Sequence, residues 1–154
     1  MGANRVRHER LELDTRHRIQ LVDLTPWVEA AVERSGILEG LVAVSALHTT
    51  AAVVVNENES RLLDDFREFL ERLAPSGAAY RHDDLDLREE PPPPEEPRNG
   101  DSHLRALLLG ASQALTVTGG RILLGRWQSV FLAELDGPRR RVVSVSVVGN
   151  GEAR

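Results

Sequence analysis

Two residue types are missing from this chain. Among 154 residues there is no cysteine and no lysine, so all 19 basic residues are arginine. Without cysteine there is no thiolate nucleophile, no disulfide and no thiolate metal site. Without lysine there is no Schiff base on a side-chain amine and no P-loop lysine. Arginine stays protonated, so it clamps anions but is a poor base. Catalysis, if present, rests on His, Asp, Glu, Ser, Thr, Tyr, a metal or the substrate itself. Also missing is a run of about 18 apolar residues, the length a membrane span needs. The opening MGANRVRHERLELD has no apolar segment of the kind a secretory signal carries. Met1-Gly2 is too little for myristoylation, because Val6 stands where Ser or Thr is wanted. A net charge of −5 disfavours a nucleic-acid binder, which would carry a basic face. The expectation is a cytoplasmic protein with neither a membrane nor a nucleic-acid partner.

What is present reads as one domain spanning 1–154. With 41% hydrophobic and 28% charged residues, the chain has the balance of a globular core with a solvated surface. Leu11 and Leu13 alternate with Glu12 and Asp14, and Ile19 and Leu21 alternate with Gln20 and Val22, giving two short strands around a turn at Asp14-Thr15. Thr25-Pro26 opens a helix with Thr25 as N-cap, ending near Gly36. Gly40 to His48 and Ala51 to Val55 read as strands buried on both faces. Ser60 or Asn58 caps a helix over Arg61 to Leu73, which Pro75 stops. Residues 80–100 form a long loop whose middle, an insertion at 88–98, is a polyproline II run with acidic flanks. It serves as a stiff solvated connector or as a recognition surface. Asp101 caps a third helix that Gly110 terminates, and four further strands follow. The fold class expected is α+β and sheet-rich, with a mainly antiparallel sandwich-like core and about three flanking helices.

Three of the five histidines sit at element boundaries beside polar clusters. His48 precedes Thr49-Thr50, His82 lies in YRHDD, and His103 falls in the first turn of the third helix. That helix terminus favours neutral imidazole and presents free N–H groups, so Asn99, Ser102 and His103 are candidates for an anion site. His48, His82 and His103 together are a candidate His₃ metal site with an open fourth position, although their spacing carries no local signature. Glu57 and Glu134 each share a strand face with apolar residues. A carboxylate so placed has a raised pKa and suits general acid–base work, unless it is solvated or pairs with arginines such as Arg139–Arg141.

These pieces line up in order with one family. His48-Thr49-Thr50-Ala51-Ala52, Val55-Asn56-Glu57-Asn58-Glu59, Tyr80-Arg81-His82-Asp83-Asp84, Asn99-Gly100-Asp101-Ser102-His103-Leu104, Trp127-Gln128 and Glu134-Leu135-Asp136-Gly137-Pro138-Arg139 resemble the YjbQ-like family, also described as secondary thiamine phosphate synthases. The resemblance runs from about Thr15 to Gly149. It implies a sheet-rich sandwich, a homotrimer, and a weak joining of hydroxymethylpyrimidine diphosphate to thiazole phosphate. Its motif residues fall here on His48, Thr49, Asn56, Glu57, Asn58, His82, Asn99, His103, Gln128 and Glu134. Arg126 departs from the pattern, standing where a smaller residue is expected before Trp127, and is a candidate anion ligand. The expected roles are therefore catalysis by His48, Glu57 and Glu134, and substrate or anion binding by Thr49, Asn56, Asn58, Asn99, Ser102, Arg126 and Gln128. A divalent metal, zinc or magnesium, would sit on His48, His82 and His103. Two competing readings are a metal-dependent hydrolase of a phosphoester or amide, and a non-enzymatic module that binds a small molecule or anion.

Overall fold

The computed structural model describes residues 4–151; Met1 and Gly2, weighed above for lipidation, lie outside them. Eight strands and three helices follow in the order β1 (Asn4–Asp14), β2 (Gln20–Asp23), α1 (Thr25–Ser35), β3 (Ile37–Ala46), β4 (Ala51–Glu57), α2 (Ser60–Leu73), α3 (Gly100–Leu109), β5 (Ser112–Thr118), β6 (Arg121–Ile122), β7 (Gln128–Glu134) and β8 (Arg140–Gly151). Two 3₁₀ turns, Arg81–Asp83 and Leu85–Leu87, lie in the long loop. The strands form two antiparallel sheets, one ordered β1-β8-β3-β5-β6 and the other β2-β7-β4. The fold is thus the sheet-rich α+β sandwich expected.

Period-two alternation decides which face of each strand is buried. Along β8, Arg141, Val143, Val145 and Val147 are buried while Val148 is exposed. Val42, Val44 and Ala46 of β3 and Val53, Val130 and Leu132 of the smaller sheet meet them, and α1 adds Val28, Ala31 and Val32. The opposite face of the smaller sheet carries Ala52, Ala133 and Leu135, which pack with Leu70 of α2 and Ala106 of α3. The smaller sheet is therefore covered on both sides, as expected for β4. The larger sheet is not. Leu41 and Val6 are each 50% exposed on its outward face, so the expectation that β3 is buried on both faces does not hold within one chain.

Helix starts were the least readable feature. Leu24, not Thr25, holds the N-cap position of α1, because the Thr25 hydroxyl instead accepts the Val130 N–H at 2.9 Å. Glu59 caps α2, accepting from Arg61 and Leu62 N–H at 3.0 and 2.9 Å. Asn99 precedes α3, and Asp101 lies within its first turn.

One topological feature positions the site. Among the described residues the chain changes sheets at six connections, three of which are β1–β2, β3–β4 and β7–β8. The register brings Asp14 beside Arg140, Ala46 beside Val143, and both Gln20 and Ala51 beside Glu134. These three lie at the same end of the sandwich, so residues 15–19, 47–50 and 135–139 converge there.

Candidate functional site at the crossing end

Alternation puts Glu134 of β7 on the inter-sheet face and Arg141 of β8 opposite it. They form a bidentate pair that ties the two sheets, with Arg141 Nε 2.7 Å from Glu134 Oε2 and Nη2 2.5 Å from Oε1. Glu134 also accepts from the Thr15 hydroxyl and from the N–H groups of Leu135 and Asp136, each at 2.8 Å. Arg141 reaches Thr50 Oγ1 at 2.9 Å. Burial acts to raise the Glu134 pKa, but the Arg141 guanidinium and the surrounding donors outweigh it and hold the group below its usual value. The expectation of a raised pKa and a general-base role is corrected: five donors occupy this carboxylate, and its pairing with an arginine is structural.

A second network surrounds it. Asp136 accepts from Asn99 Nδ2 at 2.8 Å, from Arg139 Nη2 at 2.7 Å and from Arg18 Nη1 at 3.3 Å. Arg18 also pairs with Asp101 at 2.9 Å, and the fully buried Arg105 lies 3.2 Å from the same carboxylate. The Ser102 hydroxyl donates to the Leu135 carbonyl at 2.5 Å, fastening the start of α3 to the end of β7. Asp83 Oδ1 accepts the Gly100 N–H at 2.9 Å. The N–H groups of Ser102 and His103 go to the Asn99 carbonyl at 3.0 and 3.2 Å, so these three N–H groups at the start of α3 are already served within the chain. Ser102 is buried and committed, so its expected role in binding an anion is corrected to a structural one. Asn99 is also buried; its Nδ2 is taken by Asp136, while its Oδ1 has no protein donor.

The histidines lie at the rim of these networks. His48 Nε2 accepts the Val142 backbone N–H at 2.8 Å. A backbone N–H can only donate, so the ring proton sits on Nδ1. Burial, and next the nearby Arg141, lower the His48 pKa. Burial, and next His82, lower that of His103. Arg139 contributes to the field at His48 and Asp136 to that at His103, so their ion pair lies within electrostatic reach of both rings. The His82 and His103 rings meet edge to face, with centroids 4.5 Å apart. Thr49 is exposed beside His48.

These residues do not fit a metal within one chain. The His48 Nε2 lone pair is spent on Val142, and His82 Nε2 faces the Arg88 guanidinium at 3.0 Å, where a ligated cation would have to stand. Among the described residues no group of three or more His, Asp or Glu is arranged to hold an ion. Of the three expected ligands, the single chain brings His82 and His103 into ring contact, while His48 is bonded to the Val142 N–H.

The remaining expected residues lie at the other end of the sandwich. In the register Glu57 pairs with Gln128 and Asn56 with Ser129, while Ala51 pairs with Glu134. At about 3.3 Å per residue, β4 separates the two ends by roughly 20 Å. Asn58 Nδ2 donates to Asp23 at 3.1 Å, Gln128 accepts the Gly125 N–H at 2.8 Å, and Arg126 stacks 4.6 Å over the exposed Trp127 ring. Asn56 and Glu57 edge a groove of about 490 Å³ between β4 and α2, floored by Val54 and Val55 and walled by Phe66 and Phe69. Glu57, Asn56, Asn58, Arg126 and Gln128 therefore do not share a site with the histidines of the same chain.

The residues overlooked in sequence are Arg18, Arg88 and Asp136. The one available cue was the Asp136-Gly137-Pro138-Arg139 turn, whose glycine is required: a Cβ there would lie 2.2 Å from the His17 carbonyl oxygen.

An antiparallel two-sheet α+β sandwich with a histidine- and arginine-lined end where three of its crossings meet is the class these features define. Residues 9–150 match the family described as UPF0047 protein YjbQ-like, and the chain belongs to that family. It is 46% identical over 141 residues to a UPF0047 protein of Methanothermobacter thermautotrophicus, covering 92% of this chain and 91% of that protein. YugU of Bacillus subtilis is 32% identical, covering 90% of this chain and 97% of its own length. A YbjQ-like protein of Sulfolobus solfataricus has the same fold, with a TM-score of 0.87 at 33% identity over 96% of this chain and all of that one.

Proposed function

We propose that the crossing end binds a phosphorylated small molecule, and that the weak thiamine phosphate synthase reaction implied by the family resemblance takes place there. The observation that carries this reading is the pairing of histidines of lowered pKa with half-exposed cations: His48 and His103 flank the Asp136–Arg139 pair, and the Arg18 and Arg139 side chains are 42% and 41% exposed. Neutral imidazole N–H groups and guanidinium forks are suited to phosphate oxygens. In the reaction, the thiazole nitrogen forms a bond to the pyrimidine methylene carbon, and diphosphate leaves with the electrons of the C–O bond. Stabilising that leaving group requires donors and positive charge, and needs neither thiol nor amine.

Rescue of a thiamine-auxotrophic strain tests this. Wild type is expected to rescue weakly and the His48→Ala/His103→Ala double variant not at all; equal rescue would overturn the catalytic reading. A second reading, a non-enzymatic phosphate-binding module, is favoured by the saturation of Glu134 and the remoteness of Glu57, which take both candidate acid–base carboxylates away from the histidines. Saturable binding of thiazole phosphate without product formation would select it.

We also propose that copies of this chain associate as a homotrimer through the outward face of the larger sheet. Leu41, Val6 and Val148 are adjacent in register there and are 50, 50 and 44% exposed. Light scattering giving a monomer mass would refute this. The cytoplasm is the compartment this reading assumes; among the described residues no helix is long and apolar enough to cross a membrane.

A further inference from the structure

The proline-rich segment is not absorbed by the reading above, and although most of its residues are exposed, its two ends are anchored to each other. Arg88 at its start and Glu96 near its end are 3.3 Å apart, with both side chains about four-fifths buried at 20% and 22% exposure. The Glu96 N–H closes a turn onto the Pro93 carbonyl at 3.2 Å. The segment therefore folds back on its own base. The rest of the Arg88 guanidinium goes to a single residue. Nε and Nη2 donate to the His82 carbonyl at 3.1 and 2.7 Å, and Nη2 lies 3.0 Å from the His82 ring at Nε2. His82, Arg88, Glu90 and Pro91–Pro93 line an open groove of about 370 Å³.

We propose that Arg88 is a positioning residue that turns the His82 Nε2 lone pair toward its guanidinium and so keeps the ring proton on Nδ1, at the edge of this groove. A guanidinium has five N–H donors, no acceptor, and cannot give up a proton near neutral pH. The His82 Nε2 beside it must therefore carry the lone pair, which places the ring proton on Nδ1. The same contact fixes the ring edge-on against His103, 4.5 Å away. His48 reaches the same tautomer by a different route, through the Val142 N–H. Two histidines are thus set as Nδ1–H donors, one by the backbone and one by an insertion whose sequence reads as low complexity. The significance of this for ligand binding rests on the phosphate-binding reading, but the tautomer itself does not.

Long-range ¹H–¹⁵N correlation spectra of the histidine rings in the full chain test it at neutral pH. His82 is expected to show a pyridine-like Nε2 and a protonated Nδ1. Arg88→Met keeps an apolar stem and removes every donor; it should shift His82 to the Nε2-protonated form while the His48 pattern stays unchanged and reports an intact fold. Arg88→Lys retains one donor and should preserve much of the wild-type pattern. A protonated Nε2 on His82 in the wild-type protein, or an unchanged His82 pattern in a folded Arg88→Met, would overturn the proposal; the wild-type spectrum decides even if the variant does not fold. Titration with inorganic phosphate separates the two readings. Several-fold weaker perturbation of His82 and His103 in Arg88→Met than in wild type supports both. The expected tautomer with no phosphate response in wild type upholds the role of Arg88 and removes the phosphate reading.

Discussion

The two ends of the β4–β7 pair have similar polar inventories and opposite fates. At the crossing end, Thr15, Thr50, Glu134, Asp136 and Arg141 are all buried, and each is hydrogen-bonded to another member of the group. At the far end, Asn56 and Gln128 are exposed and make short-range bonds, to the next residue and to Gly125. Strand alternation is the same at both. The difference comes from what the chain does next. Three crossings roof one end of the sandwich, so a carboxylate there loses water and must be paired. The far end is crossed too, by α1 between β2 and β3 and by residues 123–127 between β6 and β7, but these connections leave Asn56 and Gln128 exposed and Glu57 half-buried. Burial converts Glu134 from a candidate acid–base group into a brace, and the chemistry available at that end moves outward to the histidines and half-exposed arginines on its rim.

The largest effect is expected from breaking the brace on one side only. Arg141→Met leaves the Glu134 charge buried without its partner, and should cost about 3–5 kcal/mol of unfolding free energy, measured by urea titration. The double change Glu134→Met/Arg141→Met removes both charges and should recover most of that loss. If the single and double variants were equally destabilised, the pair would not be what holds this end together.

Next comes Gly100. A Cβ there would lie 2.6 Å from Tyr80 Cβ, so the glycine lets the loop carrying His82 rest on the start of α3. Gly100→Ala should cost about 1–3 kcal/mol as an overpacked site. It should also separate the His82 and His103 rings, seen as a loss of mutual ring-current shifts. Retention of those shifts would show that the loop is held elsewhere, for instance by the Tyr80 hydroxyl on the Pro75 carbonyl at 2.8 Å.

The strands were legible because alternation is a local property, and the Val42-Val44-Ala46 and Val143-Val145-Val147 rows are core; which faces are covered was not, since β3 was expected to be buried on both and Leu41 is exposed. The family could also be read from motif order. What could not be read was which polar groups meet. Glu134 and Arg141 are seven residues apart across a turn, and nothing local says that this turn changes sheets. The same blindness merged Glu57 and Gln128 with the histidines, although the β4–β7 register sets them at opposite ends. Arg88 was hidden for another reason: it borders a proline run whose composition reads as solvated linker, while its guanidinium is spent on His82 and Glu96.

A pH series tests the crossing end as a unit. His48 and His103 have folded pKa values below their ordinary 6.5, chiefly through burial, so the unfolded chain binds more protons. Their contribution to stability is complete above that value and declines as pH falls below it. Glu134 follows at lower pH: its folded pKa lies below 4.5, so its contribution is present above 4.5 and is lost as pH drops through the folded value. Unfolding free energy should therefore fall between pH 7.5 and 5.5, and His48→Gln/His103→Gln should flatten that slope. An unchanged slope in the double variant would assign the pH dependence to other groups.

The smallest expected effect is the most informative about the far end. Glu57→Gln and Gln128→Ala remove groups that the fold does not use for cross-bracing, so each should change unfolding free energy by no more than about 0.5 kcal/mol. That near-neutrality makes them clean functional probes in a way Glu134 cannot be, since any change there disturbs the brace. If both variants retain phosphate binding and thiamine-auxotroph rescue, function resides at the crossing end alone. If either loses activity while its stability and oligomeric mass stay unchanged, the two ends work together even though about 20 Å of strand separates them in one chain. The family motif would then be divided between copies, with the far end of one meeting the histidine rim of the next. Mixing Glu57→Gln chains with His48→Ala chains would decide that case: activity recovered on mixing requires a site built from two copies, and no recovery confines it to one.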